Sequence, residues 1–314
     1  MNTNDLFSST RPIVTYDSEE AWIEARRNGI GASEAATVLG ENPFGDPLAL
    51  YCHKLGIVPG DDLSANEAVE WGKRLEPAVA DKYESETGRA LFDLGRFTSA
   101  YNHAFPWAFA TLDRIVIPCN GDCHAGEPGV LEIKTTSARN EGLWENGVPR
   151  LPWIQIQHQL AVTGFAWGTA AVLIGGQKFR WMDVDRDDIF IGKMMEAENA
   201  FWCRVTAHDP PDPNSGDASR SALAALYPRP TLASVALPGV AMEWDERLEQ
   251  VKAALRSLDT EKTGLENLIK AAIGEAEAGI MANGVSYSWK EQTRAEHIVK
   301  ASSFRVLRRI NPKA

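Results

Sequence analysis

Ala110-Thr111-Leu112-Asp113-Arg114-Ile115-Val116, followed beyond a turn by Gly129-Val130-Leu131-Glu132-Ile133-Lys134-Thr135-Thr136, is the stretch that decides the fold of this chain. Both runs are short, rich in β-branched residues and bounded by turn formers, so each reads as a strand. Asp113 then lies mid-strand in the apolar run 107–118, where a carboxylate is costly unless something pairs with it. Strand alternation puts Glu132 and Lys134 on one face and Ile133 on the other. If the two strands pair across the turn at 118–129, the three polar side chains converge. Two carboxylates and the backbone carbonyl of Ile133 offer the hard oxygen ligands that Mg2+ takes. A metal so held lowers the pKa of a bound water, which suits phosphodiester hydrolysis. Lys134 is expected to orient or deprotonate that water, with nearby positive charge bringing its pKa down. The plainer reading is a salt bridge on a solvated sheet face, and a lone Glu-x-Lys would favour it. The apolar flanks Val130, Leu131 and Ile133, with the aspartate upstream, argue for a buried site instead.

Outward from this stretch, helices precede and strands alternate with helices. Residues 18–27 read as a helix leading into the turn Gly29-Ile30-Gly31-Ala32-Ser33. Ser33 is the expected N-cap of a short helix that Gly40 stops. Asp46-Pro47 opens another, ending at Gly56. Ser64-x-x-Glu67 reads as a capping box for a helix over about 65–87, with a kink or break at Pro77. Residues 90–99 add a strand, 153–165 a Gln-rich helix, 168–176 and 178–184 two strands joined by a Gly-Gly turn, and 187–207 a closing helix. This order predicts a mixed α/β domain around a central sheet.

The Pro-rich stretch 209–241 reads as a linker. Beyond it Leu248, Val251, Leu255, Leu258, Leu265, Ile269, Ala272 and Ala276 follow a three-four spacing, so a coiled coil or a docking helix is expected over 242–278. Residues 284–310 read as a basic β-hairpin. The organisation is therefore a core at 1–208, a linker at 209–241 and an appendage at 242–314. At 44% hydrophobic and 24% charged, the 314 residues have the composition of a soluble globular protein. No run is apolar enough to span a bilayer and the first residues lack a secretory signal, so a cytoplasmic protein without a membrane partner is expected. Cys52, Cys119, Cys123 and Cys203 show no framework spacing and are read as reduced; Cys119, Cys123 and His124 lack a fourth zinc ligand. The net charge is −11, yet residues 286–314 hold seven basic against two acidic residues. Local basic patches would therefore have to steer any nucleic acid, among them Arg26-Arg27 and Lys73-Arg74.

Five motifs in order, Arg26–Gly40, Trp71–Pro77, Ala110–Asp113, Leu131–Thr135 and Trp153–Gly164, resemble those of the lambda exonuclease (YqaJ-type viral recombinase) branch of the PD-(D/E)xK nucleases. The resemblance covers about residues 20–205. It implies a restriction-endonuclease-like α/β core, with Mg2+ bound by Asp113, Glu132 and the Ile133 carbonyl, two ions per site, and Mn2+ able to substitute. Lys134 would serve the nucleophilic water and Glu76 would help hold a metal or its waters. A glutamine among Gln155, Gln157 and Gln159, with Gln157 the first choice, would position the nucleophile or the phosphate. Arg27 and Ser33, or Arg26 in place of Arg27, would receive a 5′-phosphate at a helix start. The motif's proline is Leu112 here, and the chemistry lies in the aspartate. The implied activity is a 5′-to-3′ exonuclease on duplex DNA ends, as a homotrimer, passing its 3′ overhang to a phage-type single-strand annealing protein. The competing readings are a PD-(D/E)xK endonuclease and an inactive DNA-binding scaffold; no phosphate-loop, dinucleotide or nucleophile-elbow motif supports a small-molecule enzyme. Lys73 and Arg74 could touch DNA or lie on a solvated face. Trp144 is a candidate to stack on a DNA end, and His158 reads as a helix-face residue rather than a base.

Overall fold

The computed structural model describes residue 7 and residues 11–59, 66–118, 124, 126–231, 233–293, 305 and 307–309. Two compact units divide the chain, residues 1–228 and 229–314.

The first unit holds two sheets. Strands β1 (Ile13–Thr15), β2 (Ile30–Gly31), β4 (Thr98–Tyr101) and β5 (Ala108–Ala110) form a four-stranded sheet in the order β1-β4-β5-β2. Strands β3 (Leu91–Phe92), β6 (Arg114–Val116), β7 (Gly129–Thr136), β8 (Trp167–Ile174) and β9 (Lys178–Asp185) form the central one, in the order β3-β6-β7-β8-β9. It is mixed: β7 and β8 run parallel while the other neighbours are antiparallel. The helices are α1 (Glu19–Arg26), α2 (Ala35–Val38), α3 (Pro47–Lys54), α4 (Glu67–Thr87), α5 (Arg150–Thr163), α6 (Asp188–Ala207) and α7 (Asp217–Leu226). The expected α/β architecture around a mixed sheet is present.

Alternation along β7 sorts its side chains between two cores. Leu131 and Ile133 pack with Val79, Ala80 and Tyr83 of α4. Val130 faces the other way, into the main core with Ile154, Ile156 and Leu160 of α5. Glu132 and Lys134 therefore share the α5 face. Close approach on that face needs a glycine: a Cβ at Gly168 of β8 would sit 2.5 Å from a Val130 methyl and 2.9 Å from an Ile156 methyl.

Several local expectations are corrected. The strands expected over 90–99 and 107–118 each break between the two sheets instead of staying single. Asn66, whose side chain accepts from the Ala68 and Val69 N–H groups, caps α4; Ser64 lies outside the described residues. The helix passes through Pro77 without a break. The stretch read as a linker contains α7, which joins a core of Leu48, Tyr51 and Cys52 from α3 and Phe201 and Val205 from α6 through Ala222. Ser219 ties it to Asp46, the N-cap of α3, at 2.7 Å. Of the cysteines, Cys52 is buried and free and Cys203 exposed and free; Cys119 and Cys123 lie outside the described residues. None of the described helices is long and apolar enough to cross a membrane.

In the second unit, α8 (Ala241–Ile273) buries none of its residues. The stripe Leu248, Val251, Leu255, Leu258 and Leu265 is exposed along it. A hairpin pairs β10 (Ala278–Ile280) antiparallel to β11 (Ser286–Ser288); most of the second half of the basic hairpin expected over 284–310 lies outside the described residues. Arg309, from the basic end of the chain, makes a two-pronged contact with Asp245 of α8, at 2.8 and 3.0 Å.

Candidate active site

Asp113 stands where the chain leaves one sheet for the other. β5 ends at Ala110 and β6 begins at Arg114, so the mid-strand placement expected for Asp113 is corrected. The change of sheet leaves the β7 edge without a ladder partner beyond the Arg114–Leu131 pair. The Asp113 side chain takes over there: its Oδ2 accepts the Ile133 N–H at 2.7 Å. Arg114, the next residue, turns to the α4 face and meets Glu76 at 2.8 Å. Asp113 is thereby left on the face of Glu132 and Lys134.

Glu132 is 2% exposed. Its Oε1 lies 2.6 Å from Lys134 Nζ, and its Oε2 accepts from Gln159 Nε2 at 2.6 Å. Lys134 Nζ also donates to Gln155 Oε1 at 3.0 Å. Gln155 and Gln159 are four residues apart, hence on one face of α5. The structure thus gathers Asp113, Glu132, Lys134, Gln155 and Gln159.

Burial drives the Asp113 carboxyl well above the ordinary aspartate range; the charge of Glu132 adds to this, and the Ile133 N–H and Lys134 offset only part of it. Burial works against the Lys134 ammonium too. There, attraction and hydrogen bonding to Glu132, together with Asp113, win and raise its pKa above that of ordinary lysine. The expected lowering is corrected because the neighbours of Lys134 are carboxylates rather than cations. Lys134 is placed here as a charged donor, to Glu132 and Gln155.

Among the described residues no group of three or more His, Cys, Asp and Glu side chains is arranged to hold a metal ion. Side-chain ligation would fall to Asp113 and Glu132. The main chain offers a third oxygen: the N–H and C=O of one strand residue point to the same edge, and no β6 residue pairs with Ile133. This all-oxygen set, with a buried carboxylate paired to an ammonium and a half-buried one beside it, fits a hard divalent cation. Glu76 comes close to the site but is tied to Arg114, whose guanidinium also donates to the Asp113 main-chain carbonyl.

Gln157 is corrected. It is fully buried and bridges main-chain groups, donating to the Asp185 carbonyl at 2.8 Å and accepting from the Asp187 N–H at 2.9 Å. Two residues along a helix is a turn of roughly 200°, which carries it away from the face of Gln155. Trp144 is corrected as well: it ends a 3-10 turn (Ala138–Trp144) with its ring in the main core, 5% exposed, and is not free to stack on DNA. Ser33 does not cap a helix. It lies exposed within a 3-10 turn, Ala32–Glu34, and the capping is done by Glu34, which accepts the Gly31 N–H at 2.8 Å. Buried Lys54 holds both Glu34 oxygens, at 2.8 and 2.7 Å, and the Arg26 carbonyl at 2.9 Å. Arg27 pairs with Glu24 at 2.9 Å, while the Arg26 guanidinium lies over the Trp22 and Phe109 rings at 4.8 and 5.4 Å. Arg74 pairs with Glu70 on an exposed face, and Lys73 is exposed beside it. His158 is no base in this site: it is fully buried, 2.9 Å from Glu198 and 3.0 Å from the Phe109 carbonyl.

Sequence reasoning missed Arg114 and the Glu34–Lys54 pair. The signal for Arg114 was a second charge beside Asp113 in an apolar run. Lys54 carried none, because its partner is twenty residues away.

A profile of the YqaJ-like viral recombinase domain matches residues 21–166, a span that contains every residue gathered in the site. The chain is 34% identical over 274 residues to the uncharacterized protein YqaJ of Bacillus subtilis strain 168, covering 85% of this chain and 82% of that one. Among solved structures it is similar to an alkaline exonuclease from Laribacter hongkongensis, at 23% identity and a TM-score of 0.47 over 60% of this chain and 94% of that one. It is also similar to a phage-related exonuclease from Haemophilus somnus 129PT, at 11% identity and a TM-score of 0.40 over 57% and 96%.

Proposed function

The chain belongs to the YqaJ-like viral recombinase family, and from that premise and the geometry of its site we propose that it is a divalent-cation-dependent exonuclease acting on duplex DNA ends. The observation that carries this reading is the bond from the Ile133 N–H to Asp113. It fixes one carboxylate beside a second, Glu132, and beside an ammonium, all on one face of a buried sheet.

Asp113, Glu132 and the Ile133 carbonyl would hold Mg2+, with Mn2+ able to replace it and two ions in the working site. The bound cation supplies acidified water and neutralises charge on the phosphorane-like transition state. Lys134, held by Glu132 and Gln155, presents a fixed positive charge and N–H donors to the scissile phosphate and the incoming water. Gln155 takes the role first assigned to Gln157. Arg27 or Arg26, with Ser33, would receive the 5′-phosphate. The 5′-to-3′ polarity, the resulting 3′ overhang, a homotrimer around DNA and an annealing protein as partner in recombination complete the reading. These come from the family resemblance and are not carried by any single residue.

The test is digestion of end-labelled linear duplex and of covalently closed circles, in Mg2+ and in EDTA, with 5′-phosphate and 5′-hydroxyl ends compared. Expected are Mg2+-dependent loss of linear DNA from the 5′ end, faster with a phosphate, and an untouched circle. Lys134→Ala should abolish product and retain DNA binding. A cut circle would assign an endonuclease, and digestion that survives EDTA would remove the cation from the proposal.

A further inference from the structure

Gln159, one of the three glutamines that the resemblance offered, is fully buried. Its amide can be oriented in one way only. The nitrogen faces Glu132 Oε2 at 2.6 Å, since the reverse orientation would set a carbonyl oxygen against a carboxylate. That leaves Oε1, an atom buried without a hydrogen-bond partner among the described residues. A buried carbonyl oxygen without a donor is disfavoured, and native proteins rarely keep one unless solvent or a ligand completes it. The main chain of Gln159 is engaged elsewhere, its carbonyl accepting the Thr163 hydroxyl at 2.8 Å, so the side chain alone carries this deficit.

The partner of the nitrogen is equally constrained. Glu132 has two oxygens: Lys134 holds one and Gln159 the other. With Oε2 bound to an amide, the carboxylate cannot rotate to offer both oxygens to one cation.

We propose that Gln159 is a positioning residue of the cation site. Its N–H fixes Glu132 so that Oε1 alone is presented towards the ligand position, and its free Oε1 accepts a hydrogen from a water bound there. The inference rests on the cation-dependent reading given above. It adds that the site's affinity is set partly from α5, by a residue that does not ligate.

The test titrates Mn2+ into full-length protein without DNA, following free Mn2+ by electron paramagnetic resonance, for wild type, Gln159→Met, Glu132→Gln and the double variant. Gln159→Met keeps the unbranched shape but removes donor and acceptor, and should weaken Mn2+ binding about 10- to 100-fold, the usual effect of losing a group that orients a ligand. Because the Gln159 N–H acts through Glu132, the loss caused by Gln159→Met should be smaller in the Glu132→Gln background than in wild type. Wild-type affinity in Gln159→Met, or a double variant that sums the two losses, would overturn the proposal. Should Gln159→Met fail to fold by circular dichroism, Gln159→Leu is read in the same way. A wild type that binds no Mn2+ would sink the cation-dependent function and this inference with it, whereas a binding wild type with an indifferent Gln159→Met sinks only the inference.

Discussion

Replacing Asp113 with asparagine should stabilise the cation-free protein while abolishing cleavage. The asparagine carbonyl can still accept the Ile133 N–H that Asp113 holds at 2.7 Å, so the end of the ladder survives. The new amide N–H groups face Glu132 as donors where a like charge stood. What is lost is a carboxyl that burial and Glu132 have pushed well above its ordinary range. A carboxyl raised in the folded state contributes stability below its unfolded pKa, near 3.9, and that contribution disappears as pH rises through the folded pKa. At neutral pH each unit of elevation is thus a loss of about 1.4 kcal/mol in wild type that the variant avoids. A higher Tm than wild type is therefore expected for the variant in EDTA at neutral pH, at about 2–4 °C per kcal/mol for a unit of this size.

Cation should reverse the order. At a hundred times Kd it would stabilise wild type by about 2.7 kcal/mol, and a variant short of one ligand would gain little. The assay is thermal unfolding of both proteins in EDTA and in Mg2+, at pH 5 and pH 7.5, beside digestion of linear duplex. In EDTA the advantage of the variant should shrink from pH 7.5 to pH 5. A variant less stable than wild type in EDTA at pH 7.5, or one whose ranking ignores Mg2+, would refute the argument.

Gln157→Ala leaves the Asp185 carbonyl and Asp187 N–H unpaired and should cost about 1–3 kcal/mol in urea unfolding, with cleavage per folded molecule unchanged. Gln155→Ala should do the opposite, lowering the cleavage rate about tenfold or more at nearly constant Tm. Glu198→Ala strands a buried imidazole and should cost about 3–5 kcal/mol. Burial alone would discharge His158, but Glu198 and the Phe109 carbonyl prevail and raise its pKa. Its contribution to stability is therefore full below about pH 6.5 and lost as pH rises through the folded value; unfolding at pH 6 and pH 9 should show that slope in wild type and a flatter one in Glu198→Gln. Gly168→Ala must push Val130 and Ile156 aside, with a cost of about 1–3 kcal/mol and a drop in cleavage as the β7–α5 spacing opens; unchanged Tm would refute the close packing.

Much of the site was legible because β-strand alternation is a strict rule. Glu132 and Lys134 had to share a face once 129–136 was a strand, and Ile133 had to oppose them. The position of Asp113 was harder to read. A run that crosses from one sheet to another has the same apolar texture as one strand, and only the tertiary structure shows where its ladder stops. The choice of glutamine failed for a similar reason: α5 is buried almost all round, so its sequence has no polar face to indicate which side meets β7. Gln157 then reads as well as Gln155, although it serves the β9–α6 turn. The linker at 209–241 was misread because proline and glycine outweighed Asp217–Leu226, whose only strong anchors, Ser219 and Ala222, are small.

Glu132 acts on both perturbed groups around it. Burial raises Asp113 first and Glu132 adds to it because their charges are alike, whereas Glu132 raises Lys134 against burial because theirs are opposite. With all three ionised, this face carries one net negative charge in a medium that screens it poorly. A divalent cation placed among the oxygens would turn that charge positive and invert both effects, since a bound cation is commonly the largest charge in its surroundings. Asp113 would then lose its proton readily, and Lys134 would become easier to deprotonate. On the proposed cation-dependent reading, the lowered lysine pKa expected from the sequence would be a property of the loaded site, and the positive charge that it requires would come from the ligand and not from a residue of the chain.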